Sequence, residues 1–351
     1  MKKTDMLKYT VKMILSHILY YAGILNIYKK IKLRNKAVVL MYHRVLPHEI
    51  KTRSFSHDGI IVDKTTFEKH IHFLKSNFKV LSLKEFRLGI ENKTPFKSCS
   101  CLITFDDGWR DNYTWAFPVL GRYELPAVIF LSANYIESTD QFWQERLSEL
   151  LFDVCRLSRE QPDISAKYYI VLDKYNFKKV LTLTGEELRA AIHEMASQCK
   201  KYSYDYIEKM ISELSAAAGA MVSNKENHDT FMNWNQIKQM ANAGITFGSH
   251  TLNHRILTAI SAGEAEKEIA ESKRNIEDNL NDAVIAFSYP NGNYNKDIIE
   301  LVKSHGYVVA FSTEHGHVSP SDDPFTVKRI NIHNDVTKNI PMFLSTILGI
   351  F

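Results

Sequence analysis

The chain has 351 residues, 45% hydrophobic and 24% charged, which is enough for one sizeable folded body or two smaller ones and excludes a disordered protein. Its formal charge of +4 is concentrated at one end. Residues 1–36 hold nine basic side chains (Lys2, Lys3, Lys8, Lys12, Lys29, Lys30, Lys32, Arg34 and Lys36) against Asp5, a net +8 that leaves −4 for the remainder. A slightly acidic body excludes nucleic acid as a partner, because such proteins line the folded surface with basic residues.

From the N-terminus, Leu7, Val11, Ile14, Ile18, Tyr21, Leu25 and Tyr28 recur at steps of four and three, the single stripe of one amphipathic α-helix. The longest uncharged run, Met13 to Tyr28, is 16 residues and contains Ser16, His17, Gly23 and Asn26, short of the ~20 apolar residues of a spanning helix. The basic run KKIKLRNK follows where a signal peptide would carry small residues, so no cleaved export signal is expected. Residues 1–36 are therefore expected to form a basic amphipathic helix, resting either on an anionic membrane surface or on the domain or a partner.

Next, KAVVLMYHRV reads as a buried strand ending on Tyr42, His43 and Arg44. Helical spacing over Thr65 to Phe78, an apolar strand CLITF, a helix from Asp111 to Tyr123 that contains Pro118, and the strand AVIFLS follow in βαβ rhythm. From about 137 to 230 charge-rich runs such as FWQERLSELLFDVCRL and TGEELRAAIHEMASQCKK break the pattern, and the stretch is expected as a helical insertion. The rhythm resumes with a helix at Trp234 to Ala243, the strand ITFGSH, the charged helix SAGEAEKEIAESKRNIEDNL, the strand AVIAFSY, a helix at Lys296 to His305, and the strands YVVAFS and TVKRINI. This alternation predicts an α/β fold with a parallel sheet or barrel over residues 37–351, interrupted by the insertion at 137–230. Cys99, Cys101, Cys155 and Cys199 have neither zinc-ribbon nor disulfide spacing and are expected as buried free thiols, which fits a reducing, cytoplasmic setting.

Parallel strands in a barrel point their C-terminal ends at one rim, so MYHRV, TFDDG, FGSHTLNH, FSYPNG and KRINIH are expected to converge there. His250 and His254 are four apart, which on a helical turn places both imidazoles on one face. With one carboxylate of the Asp106-Asp107 pair they make a ligand set suited to a catalytic divalent ion, and the second carboxylate is then available as a general base. Trp109 and Tyr113, beside the DDG turn, either stack on a sugar ring or fill the core beneath it.

TFDDG together with HTLNH resembles the polysaccharide deacetylases built on the NodB homology domain, over residues 37–135 and 230–333. The resemblance implies a distorted (β/α) barrel with fewer than eight complete repeats. It implies Asp106 as catalytic base, and Asp107, His250 and His254 as ligands of one divalent metal ion, Zn²⁺ first and Co²⁺, Ni²⁺ or Mn²⁺ after it. It also implies the backbone N–H of Asn291 as oxyanion donor. Many relatives carry an arginine in the third motif where this chain has Ser288, and Arg329 is the candidate to orient the base instead. For the acid that protonates the leaving group, His43 is favoured and His333 is the alternative.

The activity so implied is removal of an acetyl group, N-acetyl first, from an amino sugar in a cell-surface polysaccharide or its lipid-linked precursor. With no export signal expected, the chain is placed in the cytoplasm, either free or peripheral on the inner face of the cytoplasmic membrane. Two other readings compete: a silent relative that binds glycan or scaffolds a complex, and a metal-dependent amidase acting on a small non-sugar amide.

Overall fold

The computed structural model describes residues 3–97, 99–160, 165–219 and 230–351, so residues 161–164 and 220–229 of the expected insertion lie outside it. At the N-terminus the expected single helix is two. Helix α1 spans Lys3–Tyr21 and helix α2 spans Ile24–Lys32, bent by 88° at Gly23, whose φ of 76° lies in the left-handed region that glycine adopts without a Cβ penalty. Among the described residues no single helix is long and apolar enough to cross a membrane; only the bent pair Leu7–Tyr21 and Ile24–Lys32 would qualify, by length and composition.

The strands are β1 (Ala37–Tyr42), β2 (Arg44–Leu46), β3 (Ile61–Asp63), β4 (Lys79–Val80), β5 (Ser100–Phe105), β6 (Val128–Leu131), β7 (Thr246–Ser249), β8 (Ala286–Ser288), β9 (Val309–His315) and β10 (Val327–Asn331). β1, β10, β9, β8, β7, β6 and β5 pair in parallel in that order, and β5 returns to β1 in register from Ala37↔Ser100 to Tyr42↔Phe105, which closes a seven-stranded barrel. Every residue of β1 and β5 is buried, as expected of parallel strands covered on both faces. Short β4 adds to β5 beside the closure, while β2 and β3 form a separate two-stranded parallel sheet. Phe86, Phe130 and Phe311 pack with Val39, Leu102 and Val309 in a fully apolar core cluster.

The helix expected from Asp111 to Tyr123 begins as a widened π-turn, Asn112–Ala116, and becomes α-helical only over Phe117–Arg122. Pro118 follows directly on the π-turn, a widened stretch that accommodates a residue with no N–H to give to the preceding turn.

By contact the chain divides into two units, and Arg53–His57 and Asp140–Thr230 fall in the smaller one. Its helices Trp143–Glu160, Ser165–Lys174, Gly185–Cys199 and Tyr204–Ala218 enclose a core of their own that includes Leu147, Leu151, Leu172, Ile192 and Leu214. Arg189 donates to the carbonyls of Ser54 and Ser56, and the Ser56 hydroxyl donates to Glu145, so Arg53–His57 is stitched to these helices by polar contacts. All four cysteines are buried, and none is in a disulfide.

Candidate active site

The site grows from the end of β5. The Asp106 N–H still donates to the Tyr42 carbonyl of β1 (3.0 Å), and then Asp107 (φ 80°) and Gly108 (φ 86°) turn the chain through two successive left-handed residues. For an aspartate that conformation is strained. Gly108 suits the turn on two counts: besides its φ, a Cβ there would lie 3.0 Å from a Leu131 methyl and 3.1 Å from an Ile136 methyl, closer than ordinary contact. The turn gives the adjacent carboxylates different partners.

Asp106 is buried, and Arg329 from β10 grips both of its oxygens at 2.7 Å in a fork-to-fork pair. The Ser288 hydroxyl, at the end of β8, donates to Asp106 Oδ2 (3.2 Å) and accepts from Arg329 Nη2 (2.9 Å). Arg329 is itself held by its Nε donating to the Ser312 carbonyl at 2.8 Å. Burial alone would raise the Asp106 carboxyl, but the Arg329 guanidinium, aided by His250 and His43, outweighs it and holds the group well below the usual carboxylate range.

Asp107 has a different neighbourhood. Its Oδ2 accepts from the Trp109 indole N–H (2.8 Å), while Oδ1 lies 3.5 Å from His250 Nε2 and 3.4 Å from His254 Nε2. His250 Nδ1 lies 2.7 Å from the Ser288 carbonyl, which can only accept, so Nδ1 carries the proton and Nε2 presents its lone pair. Burial pushes the His250 imidazole below its ordinary value, more than the Asp106 carboxylate and the Ser288 carbonyl raise it.

The spacing of the two histidines works without the expected helical turn. Residues 250–254 are a bent loop in which Thr251 (φ 65°) and His254 (φ 55°) are left-handed. The loop is pinned by Glu268, whose two oxygens accept from the Asn253 N–H and side-chain amide, both at 2.7 Å, and by the His250 N–H donating to the Leu131 carbonyl (2.8 Å). Asn291 is a fourth left-handed non-glycine residue at the rim (φ 57°), in the short turn Pro290–Gly292 that follows β8.

The profile of the polysaccharide deacetylase family matches residues 93–150 and 143–310, more than half of the chain. The chain belongs to the polysaccharide deacetylase family. It is a deacetylase-type hydrolase of carbon–nitrogen (amide) bonds. It is 25% identical over 321 residues to the poly-beta-1,6-N-acetyl-D-glucosamine N-deacetylase of Staphylococcus epidermidis, with 89% of this chain and 84% of that protein covered. In structure it is similar to the Streptococcus pyogenes deacetylase PplD (TM-score 0.56, 19% identity, 89% and 98% of the two chains) and to a Bacillus cereus polysaccharide deacetylase (TM-score 0.56, 17% identity, 90% and 69%), likenesses of fold.

Within this family frame, Asp107, His250 and His254 bring three ligand atoms within 4.8 Å of one another. One anionic oxygen and two imidazole nitrogens, one of them with its tautomer fixed by a carbonyl, fit a divalent ion. His43 follows β1 and exerts an electrostatic pull on Asp106; its carbonyl accepts from the Asn112 amide at 2.8 Å. His333 follows β10, caps the short helix Asn334–Thr337 and has Nδ1 3.8 Å from Asp335. The pairing Met41↔Asn331 places the ends of β1 and β10, and with them both histidines, at one rim.

Sequence reasoning missed a supporting layer. Arg44 and Asp111 form a buried ion pair at 2.9 Å, and Asp111 also accepts from the Val45 N–H at 2.8 Å. The Arg44 guanidinium lies 4.2 Å over the Trp109 ring, on which Phe231 stacks at 4.5 Å. Trp109 is fully buried, so it is core and not a sugar platform, and its N–H orients Asp107. The signal was present: an arginine inside an apolar strand end and an aspartate four residues beyond the DD pair both require buried partners. Tyr113 stacks on Phe117 and donates to Gln239.

Proposed function

We propose that this chain removes the N-acetyl group from an amino sugar in a cell-surface polysaccharide or its lipid-linked precursor, in a reaction that depends on a divalent ion, with Zn²⁺ the best fit. The observation that carries the reading is the division of labour between adjacent carboxylates. Asp106 is held ionised by Arg329 and Ser288, while Asp107 is turned toward two imidazoles.

Asp107, His250 and His254 would hold the ion. When bound, it would polarise the acetyl carbonyl and acidify a nearby water. Asp106 takes the proton as the water oxygen bonds to the acetyl carbon, and Arg329 keeps that carboxylate oriented. The Asn291 N–H is assigned to the oxyanion, a role for which a fixed backbone donor needs no reorganisation. His43 delivers a proton to the sugar nitrogen as the C–N bond breaks, which yields acetate and a free amine. It is preferred to His333 because the register Tyr42↔Phe105 sets it directly beside Asp106 at the ends of paired strands.

The test is acetate release from N-acetylglucosamine oligomers by the zinc-loaded chain. Release that falls about 10²–10⁴-fold in Asp106→Asn is the expected result. Release from small non-sugar amides but not from saccharides would overturn the substrate class, and no release from either would leave a glycan-binding protein. Activity that survives His43→Ala but not His333→Ala would reverse the assignment of the acid.

A further inference from the structure

Helices α1 and α2 wear their apolar side chains outward. Leu7, Ile14, Ile18 and Tyr21 on α1 and Ile27 and Ile31 on α2 are each more than half exposed, whereas Leu25 and Leu33 are fully buried. The bend at Gly23 makes this possible. A straight helix would carry Leu25 on the stripe of Leu7 to Tyr21, but after the 88° turn Leu25 faces inward, and Ile24, Ile27 and Ile31 form the exposed stripe of α2. The pair is anchored by those two leucines and by Lys29, whose ammonium reaches Asn77 Oδ1 (3.5 Å) and lies over the rings of Phe73 and Phe78.

Within residues 7–36 the charge has one sign. Lys8, Lys12, Lys30, Lys32, Arg34 and Lys36 are exposed, and the sequence from Leu7 to Lys36 contains no acidic residue. At about 100° per residue, Lys30 and Lys32 fall on either side of the arc formed by Ile24, Ile27 and Ile31, while Lys8 and Lys12 lie along the edge of the α1 stripe. Apolar residues edged by long cationic side chains suit a boundary between acyl chains and anionic headgroups, where lysine stems lie on apolar surface and their ammonium groups reach the phosphates. A second copy of the chain docking by a two-fold contact would set this cationic patch against itself.

We propose that residues 7–36 are a docking surface that seats the enzyme in the interfacial layer of an anionic lipid bilayer. The inference is independent of the deacetylase reading, because it concerns a surface whose lipid binding can be measured with no saccharide present.

The test is co-sedimentation of the full chain with vesicles of phosphatidylcholine, with and without phosphatidylglycerol. Binding to the anionic vesicles is expected to fall about thirtyfold when Lys30→Gln and Lys32→Gln are combined, and to weaken in ~0.5 M salt. The double variant Ile27→Gln/Ile31→Gln is expected to lose binding at low salt with an unchanged thermal midpoint and unchanged acetate release, which separates a surface effect from misfolding. Equal binding to neutral and anionic vesicles, or binding to neither, would overturn the proposal. So would a concentration-dependent dimer in sedimentation velocity that the isoleucine variant abolishes.

Discussion

The barrel rim and the N-terminal helix pair break the same rule in opposite directions. The rim buries charge: Asp106, Asp107, Asp111, Arg44 and Arg329 are each 5% exposed or less. The helix pair exposes large aliphatic side chains that an ordinary surface helix would turn inward. At the rim, desolvation is offset within the protein, since each carboxylate meets a guanidinium or a fixed N–H donor. At the helix pair the compensation lies outside the chain, in whatever covers it. Buried charge whose ligand atoms converge on one point marks chemistry, and exposed apolar surface beside one sign of charge marks a contact.

The largest effect should come from breaking the rim. Arg329→Met leaves Asp106 buried without its guanidinium and is expected to cost about 3–5 kcal/mol of stability in denaturant unfolding. It should also move the acid limb of the activity profile to higher pH. With Arg329 in place the Asp106 carboxyl is held low against the upward push of burial, and without it burial dominates, so the base stays protonated to a higher pH. An unshifted limb would mean that the pair only holds the barrel together.

A smaller and sharper contrast lies within α2. Leu25→Ala removes a fully buried side chain and should cost about 2–5 kcal/mol, whereas Ile27→Ala, two residues on, should change stability by less than about 0.5 kcal/mol. Equal costs would show that the exposed stripe is packed in solution, and would remove the basis of the comparison.

The legible part of this molecule is its local part. Buried strands ending on TFDDG, FGSHTLNH and FSYPNG announce a parallel barrel with a polar rim, because apolar runs and turn residues act over a few positions. What was not legible depends on closure. Arg329 reaches Asp106 across 223 residues of sequence, and only the β1–β10 and β1–β5 pairings bring the two together. Ser288, read as the place of a missing arginine, is a small side chain that hydrogen-bonds both Asp106 and Arg329. The histidine spacing suggested a helix because i, i+4 is a helical signature, but a loop pinned by Glu268 serves the same end. Nor could periodicity see Gly23 reverse which face of the N-terminal segment is buried, since a stripe is read on the assumption of a straight axis.

The most direct measurement is the metal content of the purified chain after chelation and zinc reloading, beside His250→Ala and Trp109→Phe. The account predicts about one tightly held ion per chain in the wild type, none in His250→Ala, and an affinity about 10–100-fold weaker in Trp109→Phe, where Asp107 loses the donor that orients it. A wild-type chain that holds no specific ion, or a His250→Ala chain that holds it as tightly, would contradict the account.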